Sequence, residues 1–424
     1  MPDLGIVDAR WAYALGAEGA ASSAGVAVSG QDTVVVGAFA GQLVVGDTRL
    51  VGRGPADAFI ARLDRDGRPL WAGQVGGDGD DRATCVAAGP EHLVVGVNYT
   101  PPLPLGDRVV TGDGRPDAAV LAFDPAGRLL WSQPILSSRH VHLTALAVAD
   151  SGEVTAAGWF SGTVRLGPHV LTSAGAGDIF VARFGADGAP GPALRLGGPG
   201  PDLVHGLALV DAEIAIAGRL GGRLELGGRF LDQPGAFVAR LGRDGAVTWF
   251  ADLGPSAGVA AVHADPDGAL YIAGSFQDQI EIAGEALSSR GETDIFAARF
   301  DPGGDLVWLT QLGGSAADSA RALRWTGSGL VLAGTFAGRI DAGGRELVSA
   351  GAQDLLIAKL RPDSGATTAA RRFGGPGYDD ATALAATTER DLVIAGSFEE
   401  HVEVGAARLT ATGSRTALVA GVGL

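Results

Sequence analysis

The heptapeptide DIFVARF, at residues 178–184, is written several times in this chain. Close copies are DAFIARL at 57–63 and DIFAARF at 294–300, and looser copies are DAAVLAF at 117–123 and DLLIAKL at 354–360. Successive side chains of a strand point to opposite faces, and both faces of this phrase carry apolar residues, so each copy needs a covering layer on two sides. A phrase of this kind that recurs along the chain predicts a repeat architecture.

A second phrase fixes the period of the repeat. It reads VVGAF, AAGWF, IAGSF or LAGTF in its clearest copies, and its glycine occupies seven positions: Gly37, Gly96, Gly158, Gly218, Gly274, Gly334 and Gly396. The intervals are 59, 62, 60, 56, 60 and 62 residues. Each unit contains four strand-like segments, separated by turns rich in Asp and Gly such as DRDG at 64–67 and DPAG at 124–127. Seven all-strand units favour an all-β fold, a seven-bladed β-propeller with four antiparallel strands per blade.

The two ends of the chain distinguish a closed ring from an open solenoid. The fourth segment usually carries tryptophan, as in PLWAGQV at 69–75 and LVWLTQL at 306–312, but the seventh unit stops after its third segment, TALVAGVGL at 416–424. The missing segment is found at the other end of the chain, as ARWAYAL at 9–15. A first strand that completes the last blade removes two exposed sheet edges. The sequence therefore predicts one propeller domain over 1–424, with blades at approximately 16–75, 76–135, 136–196, 197–253, 254–312, 313–373 and 374–424 plus 1–15.

These units resemble the seven-bladed β-propeller repeat family of bacterial secreted and surface proteins. The closest matches are GGPGYDDATALAATTERDLVIAGSF at 374–398 and DIFVARF, and the resemblance extends over the whole chain. It implies the propeller fold and a location at the bacterial cell surface or outside the cell. The N-terminal residues MPDLGIVDARWAYALG do not have the basic and apolar segments of a signal peptide, so the compartment is left open.

Composition excludes several classes of partner. The net charge of -16 opposes a nucleic-acid partner, because phosphate binding requires a basic surface. The chain has no run of eighteen uncharged apolar residues, so no membrane span is expected. Cys85 is the single cysteine and cannot form an intramolecular disulfide. No resident cofactor is expected, and calcium is the one alternative that we keep.

Aspartate recurs where four blades begin their first strand. The four residues are Asp81, Asp202, Asp318 and Asp379, and the other blades have Ala21, Val141 and Ala257 there. Two interpretations stay open: an incomplete ring of carboxylates that binds cations or a basic peptide, or side chains that accept hydrogen bonds from local backbone N–H groups. A second set opens the third strand in five blades: Asp57, Asp117, Asp178, Asp294 and Asp354. The segment GGDGDDR at 76–82 is similar to a calcium loop but lacks its full pattern.

Several aromatic and histidine residues are further candidates. Trp159 and Trp325 lie outside the repeated tryptophan position, and Trp159 ends a second strand near Tyr99 and the long loops between second and third strands. Such aromatic rings could stack on a sugar or anchor a peptide, or could simply fill space. His142 shares a strand face with His140, so the two could share a metal, although no third ligand is evident.

We expect a non-enzymatic scaffold that binds another protein through the face formed by the long loops. This expectation comes from the rigid repeated frame with variable loops, and from the lack of a convergent nucleophile, base and orienting group in the sequence. A glycan-binding propeller is the first alternative, motivated by Trp159 and Tyr99. A metal-dependent lyase or lactonase using the aspartates is the second.

Overall fold

The computed structural model describes residues 9–106, 108–112, 115–226, 229–231, 233–327, 329–388 and 391–424. Its regular elements within those ranges are all strands. Each of the first six repeats contributes six of them in chain order: a first strand, a second strand, two short strands of a hairpin, a third strand and a fourth strand. Repeat seven contributes the first five of these. No helix occurs in the described ranges, in agreement with the all-β prediction.

The first three repeats follow the N-terminal strand β1 (Ala9–Leu15). Repeat one contains β2 (Ala21–Ser29), β3 (Asp32–Phe39), β4 (Gln42–Val45), β5 (Thr48–Val51), β6 (Asp57–Leu63) and β7 (Pro69–Val75). Repeat two contains β8 (Arg82–Ala88), β9 (Leu93–Tyr99), β10 (Leu103–Leu105), β11 (Arg108–Val110), β12 (Asp117–Phe123) and β13 (Leu129–Ser137). Repeat three contains β14 (His140–Val148), β15 (Val154–Ser161), β16 (Thr163–Leu166), β17 (His169–Thr172), β18 (Asp178–Phe184) and β19 (Pro190–Leu196).

The remaining four repeats follow the same order. Repeat four contains β20 (Leu203–Val210), β21 (Glu213–Leu220), β22 (Leu224–Leu226), β23 (Arg229–Leu231), β24 (Gly235–Leu241) and β25 (Val247–Gly254). Repeat five contains β26 (Ala257–Ala264), β27 (Leu270–Phe276), β28 (Gln279–Ile282), β29 (Glu285–Ser288), β30 (Asp294–Phe300) and β31 (Leu306–Gly314). Repeat six contains β32 (Asp318–Trp325), β33 (Leu330–Phe336), β34 (Arg339–Asp341), β35 (Glu346–Val348), β36 (Asp354–Leu360) and β37 (Thr367–Phe373). Repeat seven contains β38 (Asp380–Thr388), β39 (Asp391–Phe398), β40 (His401–Val404), β41 (Ala407–Thr410) and β42 (Thr416–Gly423).

The long strands of every repeat form one antiparallel sheet in the order first, second, third, fourth. In the seventh sheet the order is β38-β39-β42-β1, so the strand from the N-terminus takes the place of the fourth strand. These sheets are the seven blades of a β-propeller. The predicted architecture and its closure by the N-terminal strand are therefore confirmed.

The repeated heptapeptide is buried on both faces, as its pattern predicts. In β18, Ile179, Phe180 and Val181 are all buried, and the strand lies between β15 and β19. The polar exception is Arg183, whose guanidinium pairs with Glu153 at 3.0 Å. The equivalent arginine of repeat one, Arg62, pairs with Asp32 at 2.9 Å. These two phrases therefore bury their apolar side chains and place their arginine beside an acid at the start of the second strand.

Contacts divide the chain into two compact units. One consists of Tyr13–Val204 and Ala411–Val419, and the other of His205–Thr410, Ala420–Leu424 and the N-terminal residues up to Ala12. Inside each unit the first strands of successive blades pack against each other, for example β2 on β8 and β26 on β32. The hydrophobic core lies between blades.

The segments predicted as long loops are ordered hairpins. In repeat one, Leu43 and Val45 point inward and are buried, whereas Val44 between them is exposed. The hairpin of repeat three joins the fourth strand of repeat two, with Ile135 paired to Leu166. The hairpin of repeat six joins the fourth strand of repeat five in the same way. Each of these hairpins thus fastens one blade to the blade before it.

The turn of a hairpin rests on the fourth strand of its own blade. A Cβ added at Gly167 would lie 2.5 Å from Pro190, and one added at Gly343 would lie 2.6 Å from Thr367. The hairpins therefore lie across the outer strands instead of extending freely as loops. The sequence predicted a face built from long loops. The structure corrects this prediction, because these segments form hairpins whose buried apolar residues pack against the blade.

Candidate functional site

The four aspartates that begin the first strands lie inside the junctions between blades. None of them is more than 1% exposed. Each one ends a Gly-Gly-x-x-x-Asp segment: GGDGDD at 76–81, GGPGPD at 197–202, GGSAAD at 313–318 and GGPGYD at 374–379. The shared segment indicates that the four junctions have the same local structure.

Each aspartate closes a turn and ties it to the preceding blade. Oδ2 of Asp81 accepts a hydrogen bond from the N–H of Gly77 at 2.6 Å, and Oδ2 of Asp318 accepts one from Gly314 at 2.7 Å. The backbone N–H of Asp81 donates to the carbonyl oxygen of Ala56 at 2.9 Å. Oδ1 of Asp81 accepts a further hydrogen bond from Thr100, directly after the second strand. These contacts are those expected from the local backbone interpretation of the aspartates.

The second set of aspartates meets the first set at the same junctions. At the four junctions that have both aspartates, the carboxylate of the second set accepts a hydrogen bond from the N–H four residues earlier, as Asp57 does from Arg53 at 2.8 Å and Asp354 from Ala350 at 2.8 Å. A side chain of the fourth strand also donates to it. The donor is Gln74 for Asp57, Arg195 for Asp178, Gln311 for Asp294 and Arg372 for Asp354.

The two carboxyl groups of a junction are close neighbours. A Cβ built on Gly197 would lie 2.7 Å from both Cγ of Asp178 and Oδ2 of Asp202, so these two atoms are no farther apart than twice that distance. At Gly374 the same Cβ would lie 2.3 Å from Cγ of Asp354. The first glycine of each Gly-Gly pair is therefore required, because the carboxyl group occupies the space that a side chain would fill.

In most junctions the two aspartates are either both present or both replaced by other residues. The junctions 57/81, 178/202, 294/318 and 354/379 have both aspartates. Two other junctions have neither, since Gly235 stands opposite Ala257 and Thr416 opposite Ala21. Only Asp117 lacks its partner, and its Oδ1 accepts a hydrogen bond from the N–H of Ser137 at 2.8 Å. Joint presence and joint loss indicate that the pair acts as one structural unit.

Burial makes these carboxyl groups weaker acids than an ordinary aspartate. Burial, with a smaller contribution from the charge of Asp294, raises the pKa of Asp318 to about 7. Burial and Asp354 likewise raise the pKa of Asp379 to about 7, and burial and Asp57 raise that of Asp81 to about 6. Oδ1 of Asp294 is buried and accepts no hydrogen bond. Asp318 and Asp379 can therefore carry a proton near neutral pH.

A prediction for Gly374 follows from the close approach of Asp354. Gly374→Ala places a Cβ against the carboxyl group and should destabilise the protein by about 1–3 kcal/mol, as overpacking of a filled site does. Gly258→Ala is the matched control, because the nearest atom to its Cβ is 3.8 Å away. Thermal unfolding of both variants is the measurement. Equal melting temperatures for Gly374→Ala and the parent would contradict the packing described here.

Of the aromatic and histidine candidates, two lie side by side and one is buried. The imidazole of His142 stacks on the indole of Trp159, with ring centroids 5.8 Å apart and an interplanar angle of 9°. Both rings are partly exposed, and burial lowers the pKa of His142. Tyr99 is 1% exposed, so its ring does not present a face to a ligand in this structure. The structure therefore brings together Trp159 and His142 but leaves Tyr99 inside the core.

The acidic segment at 76–82 does not gather its carboxylates around one point. Asp80 forms an ion pair with Arg82 at 2.8 Å, while Asp81 turns into the junction. Across the described ranges, no group of three or more His, Cys, Asp or Glu side chains is arranged to hold a metal ion. No described helix is long and apolar enough to cross a membrane.

Sequence reasoning missed the contacts made by the repeated tryptophans. Nε1 of Trp131 donates to the carbonyl oxygen of Ala186 at 2.9 Å, and Nε1 of Trp308 donates to that of Pro362 at 2.9 Å. Each acceptor lies in the turn between the third and fourth strands of the next blade. The glycine of that turn, Gly188 or Gly365, would bring a Cβ to 2.6 Å from the indole. The glycine of this turn was the available signal, since it recurs one blade after the tryptophan, as in DPAG at 124–127 after Trp71 and DPGG at 301–304 after Trp249.

Comparison with known proteins gives a likeness of fold. No protein-family model and no curated protein matches the chain. A quinohemoprotein alcohol dehydrogenase, ADHIIG, from Pseudomonas putida HK5 aligns with a TM-score of 0.50 at 10% identity, over 100% of this chain and 78% of that one. The structure of YCF48 bound to D1 peptide aligns with a TM-score of 0.43 at 12% identity, over 99% and 98% of the two chains. Because the identity is so low, the likeness to the first structure concerns the fold alone. The second structure has a lower TM-score and supports no argument.

Proposed function

We propose that this propeller is a non-enzymatic scaffold whose partner is another protein. The partner binds the hairpins and the adjoining outer strands, which together we call the outer surface. Membership of the bacterial seven-bladed repeat family, and with it a location at the cell surface or outside the cell, is part of the same proposal. It is supported by the repeated phrases DIFVARF and GGPGYDDATALAATTERDLVIAGSF.

The distribution of exposed apolar side chains carries the proposal. Five of them lie on hairpins: Val44, Val51, Val109, Val170 and Val348. Three more occupy the position before the tryptophan of a fourth strand: Leu70, Leu130 and Val307. Val51 and Val170 are 60% and 61% exposed. Single exposed apolar residues are ordinary, but their concentration on the hairpins and at one position of the fourth strands is typical of a surface that contacts a partner.

A capture experiment tests this proposal. The parent protein and the triple variant Val51→Lys, Val109→Lys, Val170→Lys are immobilised and compared for the partner that they retain from the source cells. The control carries lysine at three exposed polar hairpin positions, Thr172, Ser288 and Thr410. We expect the valine variant to lose at least about tenfold in retained partner, because apolar anchors dominate binding energy. Equal retention by the two variants would remove the outer surface from the proposal.

A glycan ligand is the second candidate function. The partly exposed stack of Trp159 and His142 supports it, because flat rings pack well against the apolar face of a sugar. Binding to a glycan array that disappears in Trp159→Ala and persists in the valine variant would favour this candidate. An array without signal for the parent protein would count against it.

A further inference from the structure

A cavity of about 300 Å³ lies at the ends of three first strands in the His205–Thr410 unit. Leu209, Val210 and Asp211 contribute from repeat four, Asp265 and Pro266 from repeat five, and Trp325 from repeat six. Its size is at the lower end for ligand sites and is sufficient for one large side chain. The walls combine apolar groups, one indole and two carboxyl groups.

Trp325 stands outside the repeated tryptophan position and is held firmly in place. Its ring stacks on Tyr271, with centroids 5.6 Å apart and an interplanar angle of 25°. The hydroxyl of Tyr271 donates to Oδ2 of Asp265 at 3.0 Å. Oδ1 of Asp265 accepts hydrogen bonds from the N–H groups of Asp267 and Ala269. The indole and the acidic wall are therefore fixed before any ligand arrives.

Asp211 occupies a backbone position that suits glycine better. It is the first residue of the turn between β20 and β21, with φ of 53°. Gly30 takes the equivalent position in repeat one with φ of 65°. An L-residue in this left-handed region costs on the order of 1 kcal/mol relative to glycine. Aspartate enters this region more readily than most residues, and here it places a carboxylate beside the cavity.

The charge of the cavity is negative. Arg240 and Arg299 approach its lining residues but do not line it themselves. The guanidinium of Arg240 pairs with Glu213 and donates to the carbonyl oxygens of Gly268 and Pro302. Arg299 lies 5.6 Å over the ring of Tyr271. Asp211 and Asp265 are thus the charged side chains that line the cavity, and the net charge of the chain, -16, has the same sign.

We propose that this cavity binds the guanidinium group of an arginine side chain. A planar guanidinium can lie against the indole of Trp325 and donate hydrogen bonds to the carboxylate of Asp211. The apolar walls from Val210 and Pro266 accommodate the methylene stem. The cavity is a separate site from the outer surface, so it does not depend on the protein-binding proposal.

The test uses the full chain labelled with fluorotryptophan and observed by fluorine NMR. N-acetyl-arginine amide is the probe, and N-acetyl-citrulline amide is the neutral control of the same shape. Trp325→Phe assigns the resonance of Trp325 by its disappearance. We expect a saturable shift of that resonance with a Kd on the order of 1 mM for the arginine probe, and at least tenfold weaker binding of the citrulline control. Equal affinities, or no shift at about 50 mM probe, would overturn the proposal.

Two substitutions of Asp211 separate binding from folding. Asp211→Gly should equal or exceed the melting temperature of the parent, because glycine relieves the strained turn, yet should bind the arginine probe at least about tenfold less tightly. Asp211→Asn keeps a side chain that tolerates this backbone and should weaken binding similarly. Unchanged affinity in either folded variant would overturn the proposal.

Free arginine, as a third probe, distinguishes the two sources of a guanidinium group. Equal affinity for free arginine and for the amide indicates a small-molecule ligand, whereas preference for the amide indicates a peptide.

Discussion

Deletion of residues 1–15 is expected to lower the melting temperature by about 5 °C or more, or to cause aggregation. The deletion removes β1 from the sheet β38-β39-β42-β1 and leaves β42 with a bare edge. It also removes Trp11, whose indole lies against Gly421, since a Cβ at that glycine would be 2.4 Å from Nε1. Loss of one packed tryptophan costs about 3–5 kcal/mol, and the unpaired backbone adds to it. Thermal unfolding with light scattering measures both outcomes.

A milder variant tests whether the packing of β1 in its sheet causes the loss of stability. Trp11→Ala keeps the backbone of β1, and with it the pairing to β42, but removes the indole. Its melting temperature should fall between those of the parent and of the deletion. Arg10→Ala is the matched control, because it removes only a largely exposed ion pair with Asp391, which contributes little to stability. A deletion protein with the parent melting temperature would contradict the role of β1.

The second large effect is on the pH dependence of stability. The raised pKa values of Asp318 and Asp379, each about 7, mean that the folded protein binds protons more tightly than the unfolded chain, whose aspartates titrate near 3.8. Stability from these groups is then fully present below pH 4 and is lost as the pH rises towards 7. The shift sets an upper limit of about 4 kcal/mol per group, which relaxation and solvent screening reduce to about 1–2 kcal/mol. We expect a melting temperature several degrees higher at pH 5 than at pH 8.

Substitution by asparagine identifies the responsible groups. Asp318→Asn and Asp379→Asn together mimic the protonated forms, so they should raise the melting temperature at pH 8 and reduce its difference from that at pH 5. The control, Asp47→Asn with Asp66→Asn, removes the same charge from exposed positions. It separates the effect of the junctions from that of the overall negative charge. If both double variants keep the full pH dependence of the parent, the buried pairs are not its source.

The sequence was sufficient for the architecture because every blade meets the same two neighbours. A strand such as 178–184 has to be apolar on both faces, and this requirement repeats with the blade. The position of Trp11 was sufficient to predict closure, since it repeats the tryptophan of the other fourth strands. The hairpins were missed because each strand of a segment such as 42–51 has only four residues, too few to establish a strand pattern in the sequence. Their attachment to the preceding blade is tertiary and leaves no local signal.

The sequence predicted the two sets of aspartates separately but did not predict their pairing at the junctions. The two sets of aspartates were recognised, but Asp294 and Asp318 are far apart in sequence and belong to different blades, so their contact was not visible. The combined loss at Gly235 and Ala257 was a signal in the sequence that would have connected them. Tyr99 was expected near a ligand surface because it ends a second strand. It is buried because that end of the strand lies beneath the hairpin that follows it.

The most direct test of the account is to move the N-terminal strand to the other end of the chain. A protein consisting of residues 16–424, a copy of the turn DPAGR from 124–128 and then residues 9–15 would have its fourth strand directly after its third, as in the other six blades. We predict that this rearranged protein regains the melting temperature of the parent to within a few degrees, whereas the chain without the added strand does not. A rearranged protein that unfolds at the same temperature as the deletion would contradict the assignment of β1 to the seventh blade.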